Sequence, residues 1–155
     1  MQTYRIALFG HRDLYTFRKI EERLSDILRE ILQEKSYTEI YIGRNGEFDS
    51  LAASVIRNVQ KDMGSESSEL ILVLPYLMKA TESVQSKYDS IMIPEDLEGV
   101  HPKAAISRRN RFMVDICDLC IFYVEHEHGG AYSALKYAQK QGKRIINIAY
   151  ESSNH

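Results

Sequence analysis

The sequence predicts an α/β fold of three layers, a mainly parallel sheet with helices on both faces, in one domain spanning residues 1–155. Short apolar segments of strand length alternate with longer segments whose apolar residues recur at helical spacing. Residues 119–124 are continuously apolar, which is typical of a strand buried on both faces. Gly129 and Gly130 follow it and lead into alanines at helical spacing, so a strand feeds a helix through two glycines.

The first half of the chain alternates regularly between strands and helices. The predicted strands end at turn-forming residues, namely Gly10 to Asp13, Gly43 to Gly46, and Pro75. The helix between the first two strands has an apolar stripe from Ile20 to Leu32. In order, the predicted elements are strand 4–9, helix 20–32, strand 39–42, helix 48–59 and strand 70–74.

The second half begins with a segment of weak pattern, residues 76–103. Within it, residues 91–93 can form a short strand, and 79–87 either a helical turn or a loop. Beyond it the alternation returns, and Gly142 provides the stop for the last helix. The predicted elements there are helix 104–115, strand 119–124, helix 131–141 and strand 144–149.

Composition and charge restrict the class of protein. The net charge is −2, which gives no general attraction to a polyanion and argues against nucleic acid as a partner. No apolar run reaches membrane length, and the N-terminus lacks the pattern of a signal peptide, so we expect a cytoplasmic protein without membrane contact. Cys117 and Cys120 flank the entry to a buried strand, which favours two small core residues over a redox pair.

Three glycine-containing loops directly follow predicted strands. In a parallel sheet, ligands bind outside the carboxyl ends of the strands, near the point where strand order reverses. Glycine at any one of these loops could simply make a turn, but three loops at one edge favour a binding site. The candidate ligand-binding residues are Gly10, His11, Arg12, Gly43, Asn45, Gly46, Glu47, Asp49, Arg109, Gly129, Gly130 and Ser133.

Arg109 falls on the apolar stripe of its predicted helix, three residues after Ile106 and four before Met113. An arginine that faces inward needs a partner. A ligand phosphate would suit its planar guanidinium, and so would a buried carboxylate from Asp13, Glu47 or Asp49. The sequence leaves both alternatives open.

The segment from Glu125 to His128 alternates carboxylates and imidazoles. Because successive side chains of an extended segment point to opposite sides, His126 and His128 can share a face. No third metal ligand is specified, so we expect neither a metal site nor a cofactor, and we favour a polar loop whose histidine contacts a ligand or a neighbouring chain.

Four motifs in this order resemble the SLOG superfamily of Rossmann-like proteins. They are Gly-His-Arg at 10–12, Asn-Gly-Glu-Phe-Asp at 45–49, the helix segment 109–115, and the glycine pair at 129–130. That superfamily includes the DNA-processing (DprA/Smf) proteins, the lonely-guy phosphoribohydrolases, and small bacterial proteins of unassigned function, which the chain resembles most.

The resemblance implies a nucleotide or nucleotide-derived ligand such as an ADP-ribose-like compound, bound by a sensor or ligand-binding protein that forms a homo-oligomer. In this interpretation helix amides and Arg109 hold phosphate, Ser133 donates a hydroxyl, and Glu47 or Asp49 accepts ribose hydroxyls. An enzyme cleaving or transferring an N-glycosidic bond is the alternative, with Glu47 as catalytic residue. Leu135 counts against it, because it stands where the phosphoribohydrolases have a glutamate. A third alternative is DNA binding of the DprA type.

Overall fold

The computed structural model describes residues 2–77 and 85–151, and these form one six-stranded sheet in which every pairing is parallel. Helices pack on both faces, so the predicted three-layer, Rossmann-like α/β fold is confirmed. The strands are β1 (Thr3–Gly10), β2 (Tyr37–Ile42), β3 (Ser68–Val73), β4 (Ser90–Met92), β5 (Leu119–Tyr123) and β6 (Arg144–Asn147).

Two apolar clusters, one on each face of the sheet, form the core. One face is covered by the two helices that follow β1 and β2 in the chain, and the other by the two helices that flank β5. Alternate residues of β1 serve the two clusters: Ile6 and Leu8 point to the first, Ala7 and Phe9 to the second. The helices are α1 (Arg18–Glu34), α2 (Glu47–Met63), α3 (Pro102–Ile116), α4 (Gly130–Lys140) and α5 (Ile148–Glu151), with a 3-10 turn at Glu95–Leu97.

The order of strands in space reverses its direction between β1 and β5. From β1 the chain moves outward through β2, β3 and β4, and then returns to pair β5 on the other side of β1. Ile6 is the partner of Leu119, and Gly10 is the partner of Tyr123, so both strands end at the same level. The loops that follow β1, β2 and β5 therefore meet at one edge, as the positions of their glycines predict.

Three predictions about elements need correction or completion. The predicted closing strand 144–149 ends at Asn147, and residues 148–151 form α5 instead. Asn147 causes this change, because its side chain accepts from the amide of Val124 and donates to the carbonyl of Val124, at 3.1 and 3.0 Å. The short strand predicted at 91–93 is present as β4, which begins and ends one residue earlier. Of segment 79–87, residues 79–84 lie outside the described residues.

The two cysteines are buried in the second cluster, as expected for small core residues. Burial raises the pKa of Cys120 to about 11 and raises that of Cys117 further. Neither thiol therefore supplies a thiolate near neutral pH. In the described part of the chain, no helix combines the length and apolar character needed to cross a membrane.

Candidate functional site

A pocket of about 510 Å³, here called the switch pocket, opens at the carboxyl edge of the sheet where strand order reverses. Its volume lies within the range of roughly 300–1,000 Å³ that is usual for small-molecule sites. Ten of the twelve candidate residues line it, namely Gly10, His11, Arg12, Gly43, Asn45, Gly46, Asp49, Arg109, Gly129 and Gly130.

Arg109 lies at the base of this pocket and is only 3% exposed. Its Nη1 donates to the main-chain carbonyl of Val73 at 2.9 Å, and its Nε donates to Oδ1 of Asn110 at 2.9 Å. Burial lowers the pKa of Arg109, whereas the nearby carboxyl of Asp49 raises it. Among the described residues no carboxylate lies within ion-pair distance of Arg109, so of the two alternatives the buried pair with Asp13, Glu47 or Asp49 is not formed.

Asp49 holds the loop that follows β2. Its Oδ2 accepts from the amide of Asn45 at 2.8 Å, which fixes the turn from Gly43 to Gly46 against the first turn of α2. Burial raises the pKa of Asp49 to about 6, against the opposing effects of the Asn45 amide and Arg109. The carboxylate is therefore kept ionised at neutral pH at a cost to the folded state.

Three of the predicted glycines are required by close packing. A Cβ at Gly10 would lie 2.1 Å from the ring of Phe48, and a Cβ at Gly46 would lie 2.5 Å from Cα of Arg12. A Cβ at Gly43 would lie 3.0 Å from Nη1 of Arg109. Gly43 thus leaves the space that the guanidinium occupies, whereas Gly10 and Gly46 let the loop after β1 lie against α2.

Two helices begin at the pocket, α2 after Gly46 and α4 after Gly129. Neither N-terminus has a hydrogen bond from a capping side chain. Gly129 has a φ of +94°, a backbone conformation that favours glycine. The first amides of a helix have no partners within it and carry the positive end of the helix dipole, so the N-terminus of α4 offers donors to an anion in the pocket. At α2 the first amide, that of Glu47, already donates to the carbonyl of Arg12.

Three imidazole rings form a column along one wall of the pocket. His11 is buried, and its Nε2 accepts from the amides of Glu125 and His126 at 2.8 and 3.4 Å. The ring of His126 stacks on His11 at 3.6 Å between centroids, and His128 stacks on His126 at 3.8 Å. Burial lowers the pKa of His11, and the neighbouring His126 lowers it further. His11 is therefore the neutral anchor of the column and of the loop 125–130.

Two candidate residues, Glu47 and Ser133, lie outside the switch pocket. Glu47 is the first residue of α2, its amide donates to the carbonyl of Arg12, and its Oε1 accepts from the amide of Leu14 at 3.3 Å. Ser133 is exposed on the first turn of α4, where Ala134 and Leu135 take the buried positions. Glu47 lines the shallower depression that adjoins the switch pocket, whereas Ser133 lines neither.

The pocket also contains side chains that were not among the predicted site residues. Asn110 sits beside Arg109, and Asp13 and Tyr15 extend from the loop after β1. His126 and His128 are the clearest omission. Their spacing of two residues indicates a shared face, but the stacking depends on His11, which is distant in the sequence.

A second, shallower depression adjoins the first and is called the side groove. It shares Arg12, Asp13 and Gly46 with the switch pocket and continues past Phe17 and Arg44. Arg12 and Arg44 are exposed. Two exposed rings lie along this path, Tyr15 at the switch pocket and Phe17 in the side groove.

The fold and the site together define a Rossmann-like α/β protein with a pocket at the reversal of strand order. Two solved structures of DNA processing protein A have a similar fold. The chain superposes on the Streptococcus pneumoniae protein with a TM-score of 0.67 at 16% identity, covering 92% of this chain and 49% of that one. The Helicobacter pylori protein gives a TM-score of 0.64 at 17% identity, with coverage of 96% and 70%.

The chain thus spans about half the length of the S. pneumoniae protein. No family model matches the sequence, and no curated protein matches it. The H. pylori structure was used to explain how that protein binds single-stranded DNA. This finding overturns our argument against nucleic acid as a partner, because overall charge does not reveal how basic groups cluster at one edge of a fold.

Proposed function

We propose that the protein binds single-stranded nucleic acid at the carboxyl edge of its sheet, with one nucleotide of the strand seated in the switch pocket. The observation that carries this proposal is the buried Arg109, which lines the pocket without an ion-pair partner in residues 2–77 and 85–151. The fold shared with two DNA processing proteins, one of them described with single-stranded DNA, supports it.

A phosphate group fits the donors at the base of the pocket. Nη1 and Nε of Arg109 are engaged by Val73 and Asn110, and no bond from Nη2 to a described residue is present. The uncapped first turn of α4 supplies amides from a further direction. A guanidinium together with helix N-termini is a recurrent arrangement for phosphate.

The side groove extends the site beyond a single nucleotide. It continues directly from the switch pocket over Arg12, and it carries Arg44 and the exposed ring of Phe17 beside the carboxylates of Asp13 and Glu47. Basic side chains that follow a backbone, interleaved with aromatic rings on which bases stack, are the usual means of binding single strands without sequence preference. A neighbouring nucleotide would therefore lie over Arg12, with Tyr15 and Phe17 accessible to bases.

A free nucleotide or nucleotide-derived compound is the second candidate ligand. The observation that favours it is the volume of the switch pocket, which accommodates one nucleotide without any use of the side groove. Glu47 lines the side groove and Ser133 lines neither depression, so neither residue faces a nucleotide held in the switch pocket alone. Leu135 is a buried apolar residue of α4, so the N-glycosidase alternative has no carboxylate at that position.

Fluorescence anisotropy with a labelled oligothymidylate tests the proposal. We expect saturable binding that a duplex of equal length competes for poorly and that weakens with salt, with a slope of about −0.7 per phosphate contacted. The double variant Arg12→Ala/Arg44→Ala should weaken binding and reduce this slope, because it removes two exposed cations from the side groove. The matched control is Arg18→Ala/Arg29→Ala, which removes two arginines of α1 that line neither the switch pocket nor the side groove.

Competition separates the two candidate ligands. If a mononucleotide displaces the oligonucleotide only at far higher concentration, the side groove contributes to binding and the nucleic-acid proposal is supported. If mononucleotides bind as tightly as the oligonucleotide, the free-nucleotide candidate is favoured. No binding of oligothymidylate at low salt would overturn the proposal.

A further inference from the structure

The column of His11, His126 and His128 has one end inside the fold and one end in the solvent. His11 and His126 make one stacked pair and His126 and His128 the other, with interplanar angles of 10° and 19°. A ring has only two faces, and the described ring contacts include none between His11 and His128. His126 is therefore the middle ring, and His128 is the outermost.

The inner end of the column is fixed. His11 is 6% exposed, and it holds the loop after β5 through two main-chain amides. The edge of the Tyr123 ring contacts the same imidazole. This anchoring means that His128 presents its outer face in a defined direction, supported from behind by two parallel rings.

The outer end of the column lies at the switch pocket. His128 is exposed, and it lines the pocket next to Gly129 and Gly130, where α4 begins. The separations of 3.6 and 3.8 Å between successive rings are close to the spacing of stacked bases. A flat ring beside a phosphate-accommodating helix N-terminus suits a nucleotide, whose base and phosphate are joined through one sugar.

We propose that the outer face of His128 is a stacking surface for a nucleobase, which extends the column of imidazoles by one ring. This inference rests on the proposed function, and it assigns the base of the nucleotide held in the switch pocket to a particular side chain. Every base has a π-face, so this contact tolerates any sequence and contributes affinity without discrimination. Base stacking would also give a role to both histidines of the loop 125–130, since His126 stacks on His11 and His128 stacks on His126.

The substitution His128→Ala tests the proposal, because the residue is exposed and its removal leaves the anchoring of His11 in place. For a labelled oligothymidylate near pH 8, we expect affinity to fall roughly 5- to 150-fold, the range for loss of one stacked base. His128→Phe keeps a flat ring and should restore affinity. The salt dependence should stay as in the wild type, since a phosphate contact is not being removed.

An oligonucleotide of abasic sugars separates base stacking from contact with the backbone. His128→Ala should bind this probe as the wild type does, because the probe has no base to stack. A 2-aminopurine probe should be quenched on binding by the wild type and by His128→Phe, and less by His128→Ala. The matched control is His101→Asn, which replaces an exposed imidazole at the N-terminus of α3 and retains an acceptor for the amide of Lys103.

The outcomes distinguish the two proposals. If the wild type binds oligothymidylate and His128→Ala binds it equally well, base stacking on His128 is wrong while the proposed function stands. An equal loss of affinity for the normal and abasic probes also overturns stacking, and assigns His128 to the backbone instead. If the wild type binds no single strand, the proposed function fails and this inference fails with it.

Discussion

Nη1 of Arg109 donates a hydrogen bond of 2.9 Å to the main-chain carbonyl of Val73, the last residue of β3. The guanidinium of α3 is thereby held at the carboxyl edge of the sheet by an uncharged partner. A neutral acceptor satisfies one donor but does not neutralise the charge. The buried cation is therefore poised for an anion that enters the switch pocket from solvent.

Replacing Arg109 with methionine should separate binding from stability. The substitution removes the hydrogen bonds to Val73 and Asn110 but also relieves a buried charge, so the free energy of unfolding should change by no more than about 1 kcal/mol. Affinity for oligothymidylate should fall by about 2–5 kcal/mol if the guanidinium pairs with a desolvated phosphate. Urea denaturation and fluorescence anisotropy measure the two quantities.

Arg111→Met is the matched control for this prediction. Arg111 lies on the same helix, its guanidinium is over the ring of Tyr137, and it does not line the switch pocket. Its replacement should leave affinity unchanged. A loss of about 3–5 kcal/mol of stability in Arg109→Met would instead mean that the arginine neutralises a buried carboxylate, and the anchor hypothesis would be abandoned.

Gly43→Ala should lower ligand affinity, whereas Gly10→Ala should lower the stability of the fold. The new Cβ at position 43 meets the guanidinium of Arg109, at 3.0 Å from Nη1, so the guanidinium must shift by a few tenths of an ångström and affinity falls by roughly tenfold with little loss of stability. At position 10 the Cβ meets the buried ring of Phe48, at 2.1 Å, which should destabilise the fold by about 1–3 kcal/mol or more. Thermal denaturation and anisotropy on each variant test this contrast.

Gly130→Ala is the control for a methyl group added at the pocket without a clash. The nearest atom to its Cβ is Nδ2 of Asn110, at 3.9 Å. Its stability should stay equal or rise slightly, because alanine restricts the unfolded chain. A stable Gly43→Ala protein that binds as the wild type does would show that the position of the guanidinium is not important for the ligand.

Asp49→Asn should stabilise the ligand-free protein at neutral pH. The pKa of Asp49 is raised from 3.8 to about 6, so the folded state binds a proton more readily than the unfolded state does between these values. Stability therefore falls as pH rises from about 4 to 6, and the cost is complete above that range. Near pH 7.5 the asparagine variant should gain about 1–3 kcal/mol, and near pH 4 the gain should disappear.

Urea denaturation across this range measures the effect of Asp49→Asn. The asparagine can still accept from the amide of Asn45, so the loop should keep its turn. Asp26→Asn is the control, because Asp26 is an exposed carboxylate on α1. Destabilisation of Asp49→Asn near pH 7.5 would mean that attraction between the carboxylate and Arg109 exceeds the cost of burial.

The effect of His11 on stability should depend on pH in the direction opposite to that of Asp49. The pKa of His11 is lowered from 6.5, so below that value the unfolded state binds the proton first and stability falls as pH decreases. Protonation would also remove the acceptor that Nε2 offers to the amides of Glu125 and His126. Between about pH 6.5 and 5, the wild type should lose more stability than His11→Asn, and parallel pH profiles in urea denaturation would refute this assignment.

Sequence periodicity was sufficient to predict the layers of the fold, because continuous apolar strands and one-sided helices have distinct patterns. It did not predict α5, since Ile146 and Ile148 continue an alternating pattern. The strand ends because the side chain of Asn147 bonds to the main chain of Val124, a tertiary contact that periodicity does not report.

The candidate site could be predicted to the level of loops but less well to individual side chains. Nine candidate residues from the three loop segments line the switch pocket because parallel strands end at a common level, and Arg109 joins them from α3. Glu47 and Ser133 do not, because the rotation of a helix after its first residue depends on packing. The neutral partner of Arg109 could not be predicted either, because every residue has a main-chain carbonyl and the sequence does not show which one accepts the bond.

The central pairing of β1 with β5 joins segments that are far apart in the sequence, since Ile6 pairs with Leu119. Closing so long a loop is a slow, entropically costly event in folding. The switch pocket is lined by the end of β1 and by the loop that follows β5, so it is complete only after this closure. A nucleic-acid strand that binds in this pocket would therefore stabilise the chain only when β1 and β5 are already paired.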